Sequence, residues 1–179
     1  MSTTALRTAV VAAGLAAAGL GVAGAAFASV PAEHAGPRTT VETQRGTVLE
    51  CHGEGVQATV YENSRYGSSL VVIVGDPGDD LFGSIERDTP FVVDGLLDET
   101  VAVRGGRTAT ITGTLTPTGQ PTRITEPVQD AGEQVVSRGT NRPLATDLVV
   151  TVDGTPVTVT CDPAFTFDLE VRRTRLYGN

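Results

Sequence analysis

Two stretches alternate apolar and polar side chains with a period of two, and this constrains the fold more than any other feature of the chain. Ala109, Ile111, Gly113 and Leu115 alternate with Thr108, Thr110, Thr112 and Thr114. Phe165, Phe167, Leu169 and Val171 alternate with Thr166, Asp168, Glu170 and Arg172. Successive side chains of an extended strand point to opposite faces, so each stretch reads as a strand with one dry and one wet side. Phe165 and Phe167 are thereby expected in the core.

Turn chemistry supplies the register. Asp153-Gly154 is a dipeptide favoured where both central residues of a two-residue hairpin need positive φ. Such a turn opposes Val152 to Thr155, Val150 to Val157 and Leu148 to Val159, and turns Cys161 to the same apolar face. At Gly105-Gly106 a two-residue loop would set Val101 against Thr110. A three-residue loop starting at Arg104 instead opposes Val101 to Ala109, so a bulged turn is predicted. Further strands are expected over 56–61 and over 69–74, the latter a nearly continuous apolar run suited to a central position. Residues 117–134 are polar and proline-bearing, and read as a loop or a crossover with a short strand.

No stretch beyond residue 28 keeps a helical apolar period over three turns. The predicted fold class is therefore all-β, an antiparallel β-sandwich or small β-barrel of about eight or more strands. Residues 41–179 are read as its single domain and 29–40 as a flexible leader rich in Pro and Gly.

Residues 1–28 read as a cleavable signal peptide. Arg7 is followed by an uncharged run from Thr8 to Ala28, and Ala26-Phe27-Ala28 provides the small residues of a cleavage site. Cleavage is expected between Ala28 and Ser29. An uncleaved anchor is the competing reading, since about 20 apolar residues span a bilayer. Alanine and glycine dominate this run, which favours cleavage and leaves no stable membrane anchor. No arginine pair precedes the run and no cysteine follows it directly, so twin-arginine export and lipidation find no support. Secretion to the extracellular space or cell envelope is the expectation.

That address shapes the reading of the cysteines. Cys51 and Cys161 are the only two, and an even pair in an exported chain is read first as a disulfide. Leu49 and Cys51 alternate with Val48, Glu50 and His52, which turns Cys51 inward to meet Cys161. Loss of residues 1–28 leaves 12 arginines against 21 acids, a net charge of −9. Such a balance repels polyanions overall, so nucleic acid is not an expected partner.

Chemistry-bearing motifs are sparse. His52, flanked by Glu50 and Glu54, would be a base or metal ligand only if turned into a cleft, and alternation turns it to solvent. Gly75-Asp76-Pro77-Gly78-Asp79-Asp80 has the composition of a calcium loop without the spacing of one, and ordinary turn chemistry accounts for it. Arg172, Arg173 and Arg175 form a basic cluster expected to balance neighbouring strands or blunt an edge. No catalytic, cofactor or metal residues are assigned. With no tryptophan and three tyrosines, the chain lacks the aromatic platforms of sugar-binding modules. The expected function is that of an exported, non-enzymatic binding or interaction module. The alternatives are a barrel carrying a small apolar ligand, and a small hydrolase or lyase using Glu50 or Asp76 with His52.

Overall fold

The computed structural model describes residues 38–75, 81–130 and 132–175. The signal sequence, its Ala28/Ser29 junction and residues 76–80 of the acidic loop lie outside the described residues. The described chain is all-β, ten strands in one antiparallel sheet curled into a half-barrel. They are β1 (Thr39–Gly53), β2 (Val56–Asn63), β3 (Gly67–Val74), β4 (Leu81–Arg87), β5 (Val92–Val93), β6 (Leu96–Val103), β7 (Arg107–Pro117), β8 (Thr122–Asp130), β9 (Glu133–Val152) and β10 (Thr155–Arg175). Their order across the sheet is β4-β3-β2-β1-β10-β9-β7-β6-β5, with β8 paired to β9 off this path.

Both hairpin registers follow the turn chemistry. Val152 opposes Thr155, Val150 opposes Val157 and Leu148 opposes Val159, with Asp153 at φ 48° and Gly154 at φ 86°. Between β6 and β7 a single 3₁₀ turn over Arg104–Gly106 makes a three-residue loop, and Val101 opposes Ala109. β3 carries the apolar run and is paired on both sides, one strand in from the β4 edge. β1 opens at Thr39, so the end of the expected leader is already strand.

Two expectations need correction. Residues 117–134 are not a loop with a short strand at most: β8 runs for nine residues and pairs along its whole length with β9. Its polarity comes from exposure, for only Ile124 among residues 122–129 is even half-buried. Pro127 is accommodated because β8 has one neighbour and its other edge is free of ladder bonds.

The second concerns the phenylalanines, whose face is dry as expected but is not the face of the main core. Register shifts in both ladders of β10, between Leu49/Cys51 on one side and Val159/Phe165 on the other, mark one extra residue in β10 around Asp162-Pro163. A one-residue slip exchanges the two faces of everything beyond it. Val159 and Cys161 therefore face the core, and so does Ala164, while Phe165, Phe167, Leu169 and Val171 face the opposite side. Phe167 stacks there on Tyr61, ring centroids 6.4 Å apart, and is buried outside the main core.

The core proper lies inside the curl. Leu49, Leu70, Leu97, Ile111 and Leu148 are all at most 1 % exposed, and valines from β2, β3, β6 and β9 fill between them. Cys51 and Cys161 stand directly opposite each other on β1 and β10 and are joined as a disulfide, closing a sequence separation of 110. The curl brings β4 against β6. Gly83 makes this approach possible: a Cβ at that position would lie 2.2 Å from the Ala102 carbonyl oxygen.

Candidate functional site

Beyond the core, the first part of β1, the second part of β10, the first part of β9 and all of β8 continue as a four-stranded extension. Residues directly opposite in antiparallel ladders share a face, so the registers define its two sides. One side carries Phe165, Phe167, Leu169 and Val171. The β2–β3 turn folds over this side, where Asn63 donates to Gln44 at 3.1 Å and Tyr66 donates to Glu42 at 3.0 Å. Arg173 donates to the Tyr66 hydroxyl at 3.1 Å, and Arg175 pairs with Glu133 at 3.2 Å. These two arginines balance neighbouring strands, as their position in an acidic chain suggests. Burial works to raise the Glu42 pKa, but the Gln44 and Tyr66 hydrogen bonds and the Arg173 charge outweigh it, and the net shift is downward.

The other side prolongs the core-facing surface into solvent. It carries Arg45, Arg123, Arg138, Arg142 and Arg172, all exposed, against two carboxylates, Asp168 and Glu170. Threonines 43, 125, 140 and 166 lie between them. Arg45 binds Asp168 at 3.0 Å, which leaves Glu170 opposite Arg138 as the other acid. Arg123, Arg138, Arg142 and Arg172 have no carboxylate within 4.0 Å among the described residues. In a chain of 21 acids and 13 basic residues, this concentration reverses the local sign.

Where this face meets the core, a cleft of about 320 Å³ opens. Val92, Leu115, Pro117 and Leu144 give it an apolar wall, Asp94 adds one carboxylate to its lining, and the cross-strand pair Thr47 and Thr166 forms its rim toward the arginines. Arg142 stands directly opposite Thr166, so cleft and basic face are continuous. A second cleft of about 250 Å³, on the far side beside the Asp162-Pro163 bulge, is lined by Asn141, Pro143 and Phe165.

His52 is exposed, with Gln57 and Thr160 as its cross-strand neighbours, and Glu50, two residues back on the same face of β1, opposes Thr59. The structure thus brings no second titratable group to His52 from β2 or β10. No group of three or more His, Cys, Asp or Glu side chains suited to a metal ion occurs among the described residues. The interior that a carrier would need is occupied by the core leucines and valines. Among the described residues no helix is long and apolar enough to cross a membrane. No family model, curated protein or solved structure matches the chain.

Sequence reading groups Arg172 with Arg173 and Arg175 as balancing neighbouring strands, whereas Arg172 has no ion pair among the described residues, and it does not single out Arg45, Arg123, Arg138 or Arg142. The signal was present in Arg138-Gly139-Thr140-Asn141-Arg142, where the even-numbered positions share one face of a strand. It was hidden because the segment lacks the apolar partners by which strands are recognised.

Proposed function

We propose that this chain is an exported, non-enzymatic interaction domain that binds an anionic partner at the cell surface or envelope through its arginine-bearing sheet face. The observation that carries this reading is the run of exposed arginines with no ion-pair partner among the described residues, set on a threonine-bearing sheet face that leads to a cleft with an apolar wall. The sheet backbone that bears these charges is already ordered, so binding has only side chains to immobilise and not a loop as well. The Cys51–Cys161 bond suits an oxidising compartment, which agrees with export directed by residues 1–28. None of the residues on the basic face is aromatic, which argues against stacked nucleic-acid bases as the partner.

The test is expression of the full chain with a C-terminal tag in a Sec-competent bacterium, followed by fractionation. Protein outside the cytoplasm with Ser29 at its N-terminus, sedimenting with isolated envelopes at low salt and released at high salt, is the expected result. Arg138→Gln with Arg172→Gln should reduce sedimentation several-fold while leaving export intact. Retention of the whole chain in the cytoplasm would overturn the export half of the proposal. Sedimentation unaffected by the arginine substitutions would overturn the binding half.

A further inference from the structure

Resting on that reading of the basic face, the geometry points to a specific ligand class: an extended acidic peptide segment carrying an apolar side chain at one end. The four arginines of this face that have no ion-pair partner among the described residues are regularly placed. Arg142 on β9 opposes Thr166 beside the cleft, and Arg123 on β8 opposes Thr140, one step further along the sheet. Arg138 on β9 opposes Thr125 and Glu170 at the next step, and Arg172 on β10 opposes Val136 at the step after. From the cleft outward the order is Arg142, Arg123, Arg138, Arg172, one arginine at each two-residue step, displaced sideways by one strand each time.

Two residues along a strand advance about 6.7 Å and neighbouring strands lie about 4.8 Å apart, so successive arginines are roughly 8 Å apart at their Cα atoms. The advance along the sheet equals the spacing of alternate side chains in an extended peptide lying parallel to the strands. Carboxylates at every second position of such a peptide meet one guanidinium each, and long arginine side chains absorb the sideways displacement. The threonines between the arginines supply hydroxyl donors and acceptors to the peptide groups. At the head of the track the apolar wall of Val92, Leu115, Pro117 and Leu144 receives a leucine- or phenylalanine-sized side chain, and Asp94 on the same lining disfavours a further carboxylate there. An anionic glycan has charges to offer the arginines but no apolar group for this wall. The cleft therefore selects a peptide.

The test uses the full-length exported protein and a fluorescent peptide with glutamate at every second position and leucine at one end, titrated by anisotropy at low and moderate salt. Binding should weaken about tenfold in the Arg123→Gln, Arg138→Gln, Arg172→Gln triple variant, given three exposed charge pairs lost. It should weaken several-fold when the peptide leucine becomes serine. Arg175→Gln, on the opposite face, should leave it unchanged. Heparin and a thymidylate oligonucleotide serve as competitors of other classes. If heparin or the oligonucleotide binds in an arginine-dependent way and the peptide does not, the peptide assignment fails while the anion-binding face stands. If nothing binds, both fail. Peptide affinity equal in wild type and triple variant would also overturn the assignment of the site.

Discussion

Glu62 on β2 accepts the backbone N–H of Phe91 at 2.6 Å with the same carboxylate oxygen that accepts Val92 N–H at 2.7 Å, and it does so while 5 % exposed. The carboxylate fastens the segment leading into β5 onto the strand that crosses beneath it. A buried N–H without a partner is costly, and bonds to an ionised acceptor are among the stronger ones. Glu62→Ala should cost about 2–3 kcal/mol in urea denaturation. Glu62→Gln, whose amide oxygen still accepts both bonds, should cost clearly less. Equal losses for the two variants would show that the bonds to Phe91 and Val92 do not stabilise the fold.

The cross-strand bond between Cys51 and Cys161 restricts the unfolded chain over most of the domain. Replacing both by alanine should lower stability by roughly 2–5 kcal/mol, with the native strand content retained in circular dichroism. Intact mass with and without reductant checks the bond itself. A protein with both thiols free in its oxidising compartment would contradict the pairing.

Gly83 is where β4 closes onto β6. Gly83→Ala places a methyl against the Ala102 carbonyl and the Val101 side chain, so the strands must part. The expected loss is about 1–3 kcal/mol by thermal or urea unfolding. It should appear with faster hydrogen exchange in β4 and β6 and unchanged exchange in β9 and β10.

Asp153 gives the chain a pH dependence. The Thr108 backbone N–H and the Arg107 side chain both bind its carboxylate, at 3.0 Å and 2.6 Å, and hold its pKa below the ordinary aspartate value. In acid the unfolded chain therefore takes up this proton before the folded one. The contribution to stability is complete above the ordinary carboxylate pKa and disappears as pH falls through it toward the lowered folded value. Asp153→Asn keeps a side chain tolerant of the positive φ and removes the charge. Urea midpoints of wild type and variant should differ most near neutral pH and converge as the pH is lowered. A constant difference would mean that the ionised carboxylate contributes nothing.

Legibility in the sequence followed burial and turn chemistry. The β9–β10 hairpin was readable to the residue because Asp153-Gly154 dictates a turn and the flanking valines agree with it. The β6–β7 loop was readable because the alternative register set valine against threonine. β8 was not, because an edge strand exposed on both faces carries no apolar period. The Phe165–Val171 alternation was read correctly as a strand with these residues on its dry side, but that this side lies opposite the main core was not readable. Nothing in Asp162-Pro163 taken alone marks an inserted residue, and only the two neighbouring ladders reveal it. The arginine track is not visible in the sequence because its members come from three strands and meet only through the pairing of β9 with β8 and β10.

The bulge at Asp162-Pro163 also governs how the domain can change over evolutionary time. It separates a proximal stretch of β10, whose parity is tied to the core, from a distal stretch whose parity is not. Matched insertions or deletions of two residues in β9 and β10 would lengthen or shorten the extension and leave both its faces in phase. Inserting or deleting a single residue in β10 between the bulge and Phe167 would exchange the guanidinium side for the aromatic side, burying charge under the β2–β3 turn and presenting Phe167 to water. Length variation in this half of the molecule is thus expected in even steps.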